Sequence, residues 1–276
     1  MSTPKLTQLR SLIIDMDGVL YRGNAPIQGA STFLHFLRQI GVHFLLLTNN
    51  STLTATQYVA KLARMGIQAE EAEILTSGEA TAMYLAKVAP PGTKVYLIGE
   101  HGVGAELKKR GFVLSEDSDV AYVVVGLDYQ FTYEKMTIAA RAIRAGAQFI
   151  GTNPDTTFPS EGELTPGAGA LLAAIEVATG VAPLIIGKPQ PVIFEIAFQK
   201  LQADPKTTAM LGDRLDTDIL GGQRMGLTTI LLLSGVTDRQ QLAHSPLVPD
   251  FVYEDIALLH RAWQESLQDD HENSAD

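Results

Sequence analysis

The stretch "LIIDMDGVLYRG", Leu12 to Gly23, decides the fold. An apolar run stops on two aspartates, Asp15 and Asp17, and a glycine follows at once. Buried carboxylates are costly unless a cation or hydrogen bonds compensate them. A strand that ends on such a pair is therefore read as the floor of a site. Three other apolar runs end in the same manner. Val42–Leu47 leads into Thr48, Asn49, Asn50 and Ser51. Leu184–Ile186 leads through Gly187 into Lys188, and Thr208–Leu211 leads through Gly212 into Asp213, Asp216 and Asp218. Further strand candidates are 94–98, 120–125, 148–150 and 228–233. Most are apolar on both faces, which suits a parallel sheet covered by helices.

Helical patterns alternate with these strands at 29–40, 54–65, 78–89, 103–110, 133–145, 168–179, 191–201 and 219–225. The alternation implies βαβ units and a Rossmann-like, doubly wound α/β fold. Breaks at "APPGTK" (Ala89–Lys94) and "TGVAP" (Thr179–Pro183) bracket a complete set of three strands and three helices. The expected division is a core of residues 1–77 and 184–276 with an inserted α/β domain at 78–183. The polar, acidic tail from Gln264 is expected to fray.

Composition narrows the function. The 276 residues, 46% of them hydrophobic, suffice for one large or two modest domains. A net charge of −10 argues against nucleic acid, whose phosphates require clustered Lys and Arg. The absence of cysteine rules out disulfides and thiolate metal sites, and the six histidines are scattered, which argues against zinc. No signal-peptide core opens the chain and no run is long enough to span a membrane, so a cytoplasmic protein is expected.

In open α/β sheets ligands bind beyond the carboxyl ends of the strands, where Asp15, Asp17, Thr48, Lys188 and Asp213 are expected to meet. Clustered carboxylates with few fixed donors suit Mg²⁺. One carboxylate can then attack phosphorus and a second, two residues on, can protonate the leaving oxygen. Thr48, Asn49 and Lys188 are the groups to hold phosphoryl oxygens. Thr54 reads as a helix cap, Asp216 as a solvated or capping residue, and His43 as an ordinary strand histidine. The run "GEHGVG" (Gly99–Gly104) mimics a dinucleotide loop, but its spacing is G-x-x-G-x-G and its glycines are read as permitting a strand-to-helix turn.

The motifs D-M-D-G-V at Asp15, L-L-T-N-N-S at Leu46, G-K-P at Gly187 and G-D-R-L-D-T-D at Gly212 resemble, in order, the four motifs of haloacid dehalogenase superfamily phosphatases. The finer resemblance is to the NagD-like subfamily, through V-V-V-G-L-D at Val123, T-N-P-D at Thr152 and T-P-G-A-G at Thr165. It implies a phosphomonoester hydrolase acting on small phosphorylated metabolites, with the insert as its cap. Asp15 is implied as nucleophile and Mg²⁺ ligand, and Asp17 as general acid/base that lends its backbone carbonyl to the metal. Thr48 and Lys188, with Asn49 and Asn50 nearby, are implied at the phosphoryl group. Asp213 is implied as a further metal ligand, and Asp218 as the group that orients a metal-bound water. Asp128 and the stretch 129–132 are candidate cap contacts to substrate, and Phe158 sits where some relatives place one. A homodimer is a further expectation. The alternatives are a phosphomutase on the same scaffold, or a non-catalytic small-molecule binding module. A metal-free dehalogenase is disfavoured by Asp17 and Asp213.

Overall fold

A computed structural model describes residues 5–160 and 163–272. The chain divides into two compact units, Met1–Leu47 with Val59–Ile74 and Ala197–Asp276, and Thr48–Tyr58 with Leu75–Ile196. The first is built on a six-stranded sheet in the spatial order Phe251–Tyr253, Thr228–Leu232, Thr208–Gly212, Ser11–Ile14, His43–Thr48 and Ile74–Thr76. Ser11–Ile14 is central and pairs in parallel with both neighbours, Ser11 lying opposite Thr208 on one side and His43 on the other. Every residue of Ser11–Ile14 and of Thr208–Gly212 is buried. That is why both read as unbroken apolar runs. Full burial of Leu12, Ile13 or Ile14 stabilises by roughly 1.5–3 kcal/mol each.

Helix Ile256–Glu272 corrects the expectation of a frayed tail. Ile256, Leu259 and Trp263 recur at helical spacing and are buried, and Thr7 Oγ1 donates to Asp270 Oδ2 at 2.6 Å. Glu265, Asp269 and Glu272 thus occupy the solvated face of an anchored helix, and residues 273–276 of the tail lie outside the described residues.

Helix Ala30–Gln39 and this terminal helix share an aromatic cluster of Phe33, Phe36, His260 and Trp263, with the His260 ring 4.4 Å from that of Phe36. His260 Nε2 is enclosed and has no hydrogen-bond partner. Burial pushes the imidazole pKa below its ordinary value. As pH falls through the unfolded value of about 6.5, the unfolded chain takes up a proton that the folded chain refuses, so stability declines with acidification until the folded pKa is passed. His260→Phe, which keeps the ring packing, is expected to flatten that part of the acid limb. Urea midpoints of both proteins at pH 7.5 and 5.5 check this, and equal acid losses would show that His260 carries none of it.

The second unit has a five-stranded parallel sheet in the order Leu184–Ile185, Gln148–Gly151, Tyr122–Val125, Lys94–Ile98 and Val113–Ser115. Its core is formed by Tyr96, Ile98, Val123, Val125 and Phe149 against Ala139, Ala142 and Ile143 of helix Tyr133–Arg144 and Leu172 and Ile175 of helix Ala168–Thr179. Leu184–Ile185, assigned from sequence to the flanking core, pairs here with Gln148–Gly151. The Gly99–Gly104 run opens helix His101–Lys109, whose Gly102 and Val103 amides donate to Thr52 O and Ser51 O at 2.9 Å each. A Cβ at Gly102 would meet the backbone of Leu53 and Ser51 at 2.6 Å. These glycines let a helix pack on the chain's own backbone, and the N-terminal amides already have partners.

Candidate active site

In the first unit the ladder of the two central strands continues past Ile14, with Asp15 N donating to Leu211 O at 2.8 Å. Asp15 therefore leaves the sheet edge beside Asp213. Asp213 follows Gly212 and leads into a turn of π-helix, Leu215–Ile219, which brings Asp218 back. Asp15, Asp213 and Asp218 are all buried, and one carboxylate oxygen of each lies within 4.8 Å of the other two. Three such groups repel unless a cation joins them, and an all-oxygen donor set fits a hard divalent ion. Asp218 Oδ2 accepts from Asp213 N at 3.2 Å and Arg214 N at 3.1 Å, which fixes the turn. A Cβ at Gly212 would overlap the Asp218 carboxyl.

Asp17 lies outside the trio, on a tight turn closed by Leu20 N to Met16 O and Gly18 N to Tyr21 O, each 2.8 Å. Gly18 has φ +84°, a left-handed conformation that side chains disfavour. Asp17 reaches solvent, yet the surrounding protein raises its carboxyl pKa, the direction a proton donor requires. The Lys61 ammonium works against that shift. Lys61 is itself pulled down by burial and raised by Asp17, and its Nζ rests 4.1 Å from the Tyr21 ring centroid.

A loop that sequence reasoning missed, Ser234–Thr237, holds both features. Ser234 Oγ donates to Gly18 O at 2.9 Å, and the Arg22 guanidinium donates to Ser234 O. Val236 N donates to Asp213 Oδ2 at 2.7 Å and Thr237 N to Asp213 O at 3.1 Å. The signal was present: the apolar strand Thr228–Leu232 also runs into small polar residues. Lys61 carried no such signal, being one of two basic residues on an amphipathic helix.

In the second unit Thr48, Asn49 and Lys188 are buried, Lys188 at only 2% exposure. The Thr48 hydroxyl accepts from Asn50 N at 3.1 Å and keeps its own hydrogen to donate. Asn49 Oδ1 accepts from Lys188 N at 2.8 Å, and Asn49 Nδ2 donates to Lys188 O and to Asp155 Oδ1, both at 3.0 Å. Asn50 Oδ1 accepts from Thr52 N and Oγ1 at 2.8 and 2.7 Å, a local turn. Asp128 accepts from Gln130 N at 2.8 Å and from Lys135 Nζ at 2.7 Å, so both its oxygens hold the turn before helix Tyr133–Arg144. Tyr129, Gln130 and Thr132 of that turn are exposed. Phe158 belongs to a hairpin of Thr157–Ser160 and Glu163–Pro166, opposite Thr165, and its side chain lies outside the described residues. Thr54 caps its helix through Gln57 N at 3.3 Å, and Asp216 pairs with Arg214 at 2.9 Å, both outside the acidic trio.

The parallel α/β scaffold of the first unit thus carries an acidic trio at the carboxyl edge of its central strands, where such sheets bind ligands. The chain belongs to the haloacid dehalogenase-like hydrolases and is a NagD-like phosphatase among them. The model of the haloacid dehalogenase-like hydrolase family matches residues 12–113, and a second model of HAD-hydrolase-like proteins matches residues 185–259. An acid sugar phosphatase of Staphylococcus aureus (strain USA300) is 41% identical over 251 residues, 91% of this chain and 96% of its own. Among solved structures, 4-nitrophenylphosphatase from Thermotoga maritima superposes with a TM-score of 0.90 at 35% identity, covering 94% of this chain and 99% of its own. NagD from E. coli K-12 superposes with a TM-score of 0.84 at 37% identity, covering 90% and 97%. Among the described residues, no helix is long and apolar enough to cross a membrane.

Proposed function

We propose that the chain hydrolyses small sugar phosphates in a Mg²⁺-dependent reaction through a phosphorylated Asp15. The observation that carries the reading is the buried trio of Asp15, Asp213 and Asp218, with Asp17 two residues past the first of them. Asp15 and Asp213, with the Asp17 carbonyl, would hold the ion, with Asp218 placed behind them, and the ion would neutralise charge on the transferring phosphoryl group. An Asp15 oxygen attacks phosphorus, the ester P–O bond breaks, and Asp17 gives its proton to the departing oxygen. Asp17 then takes a proton from water as the water oxygen attacks phosphorus, which releases inorganic phosphate and restores Asp15. Thr48 and Lys188 are assigned to the phosphoryl oxygens. The relative named an acid sugar phosphatase supports sugar phosphates as the substrate class. Release of inorganic phosphate from a panel of hexose, pentose and triose phosphates, with Mg²⁺ and then with EDTA, tests this. Full activity in EDTA, or isomerised sugar phosphate with no phosphate released, would overturn it.

The loop carrying Gly235 gives a test that does not depend on turnover. A Cβ there would overlap Asp213 Oδ2. Gly235→Ala is expected to displace that carboxylate and weaken divalent-ion binding about 10–100-fold, the range seen when groups behind metal ligands are altered. Mn²⁺ titration followed by paramagnetic resonance measures this. Unchanged Mn²⁺ affinity would remove Asp213 from the ligand set.

A further inference from the structure

The T-N-P-D segment at Thr152–Asp155 has so far no part in the chemistry, yet it is tied to the two polar strand ends of its own unit. Asn153 Nδ2 donates to Asn49 O at 2.8 Å, and Ser77 Oγ donates to the same carbonyl. Asn153 Oδ1 accepts from Asp155 N at 3.1 Å, and Asp155 Oδ1 accepts from Asn49 Nδ2 at 3.0 Å. The main chain of Asn49 is held from one side and its side chain from the other.

That side chain has one acceptor and two donor hydrogens. The oxygen takes Lys188 N at 2.8 Å, and the two hydrogens go to Lys188 O and Asp155 Oδ1 at 3.0 Å each. Turning the amide over would set two oxygens against its oxygen and a hydrogen against Lys188 N–H, so the pattern fixes its orientation. Asn49 grips the peptide groups on both sides of the Lys188 Cα. The grip needs close approach: a Cβ at Gly187 would lie 2.7 Å from both Asn49 Oδ1 and Thr152 O. The bond to the Asp155 carboxylate is charge-assisted and stronger than a neutral one.

We infer that Asn49 is a positioning residue that sets where the Lys188 side chain leaves the backbone, and that Asp155 locks Asn49 in that task. The amide of Asn49 is then spent within the protein, and its effect on phosphate reaches the ligand through Lys188. This rests on the reading of Lys188 as a phosphoryl-binding residue. A misplacement near 1 Å at a reacting centre can lower catalysis by as much as ~10²-fold.

The test measures inhibition by inorganic phosphate, and kcat and KM for p-nitrophenyl phosphate, in Lys188→Ala, Asn49→Ala, the double variant of those two, Asn49→Asp, Asn49→Asp/Asp155→Asn and Asp155→Ala. Asn49→Ala is expected to weaken phosphate inhibition and lower kcat/KM by about 10–100-fold. The double variant is expected to be no worse than Lys188→Ala, since one acts through the other. Asn49→Asp sets two carboxylates together and is expected to lose phosphate affinity. Adding Asp155→Asn relieves that clash, since the new amide donates to the carboxylate at position 49, but Lys188 O is left without its donor, so phosphate affinity is expected to recover only in part. A merely structural role lowers the folded fraction without moving the inhibition constant. Should Asn49→Ala not fold, Asp155→Ala, which removes only the acceptor that locks Asn49, decides: phosphate inhibition is expected to weaken, and unchanged inhibition overturns the inference. Unchanged phosphate inhibition in folded Asn49→Ala, or losses that multiply in the double variant, also overturn it. Unchanged phosphate inhibition in Lys188→Ala instead overturns the underlying reading.

Discussion

Asp15→Asn is expected to abolish turnover of every phosphate ester while phosphate binding survives. The amide oxygen is a poor nucleophile. Loss of a covalent nucleophile lowers kcat on the order of 10⁴–10⁶-fold. Shape is preserved, since the change is nearly isosteric and the Asp15 N bond to Leu211 O does not involve the side chain. Equilibrium dialysis with labelled inorganic phosphate separates the two effects. Turnover within tenfold of the parent protein would show that another residue forms the bond to phosphorus.

Asp17→Asn is expected to divide substrates by their leaving groups. An alkoxide leaves badly without a proton, so sugar phosphates should lose the first step by about 10²–10⁴-fold. A nitrophenolate is a weak base and departs unaided. The variant should release one equivalent of nitrophenol and then stall with Asp15 phosphorylated, because the second step requires Asp17 to take a proton from water. Rapid-quench kinetics, with mass spectrometry of the peptide containing Asp15, reads both steps. Equal losses on aryl and alkyl esters with no phosphorylated peptide would make Asp17 a turn-former only.

Both arguments start from residues that the sequence exposes. Asp15 and Asp213 are legible because fully buried strands show as unbroken apolar runs, and a carboxylate directly after one is chemically out of place. Asp218 is legible from its family motif and proves to stand with them in one cluster. Other parts leave no local trace. Lys61 faces Asp17 from a helix 44 positions later, and nothing in its own heptad marks it. The hairpin Tyr21–Arg22 with Ala25–Pro26 has two residues per strand, too few for a period. Leu184–Ile185 is compositionally like any other strand, and sheet membership is set by its partner at Ile150–Gly151. The Thr48–Ser51 run announces a polar strand end, but which amide holds protein and which meets ligand depends on Lys188 and Asp155, more than 100 residues away. The terminal helix was hidden by its charges, because three buried residues, Ile256, Leu259 and Trp263, anchor a mostly solvated surface.

The sheet order also governs how the protein can be born. Ser11–Ile14 needs His43–Thr48 on one flank and Thr208–Gly212 on the other. The first partner emerges from the ribosome within seconds, but the second comes almost 200 residues later. At about 5–20 residues per second, that flank stays open for roughly 10–40 s of synthesis. Through that interval the nascent chain presents an unpaired, mostly apolar strand edge, the kind of surface that recruits other chains. The strand that ends on Asp15 is thus among the earliest made and among the last to be enclosed, and chaperone protection during synthesis matters most there.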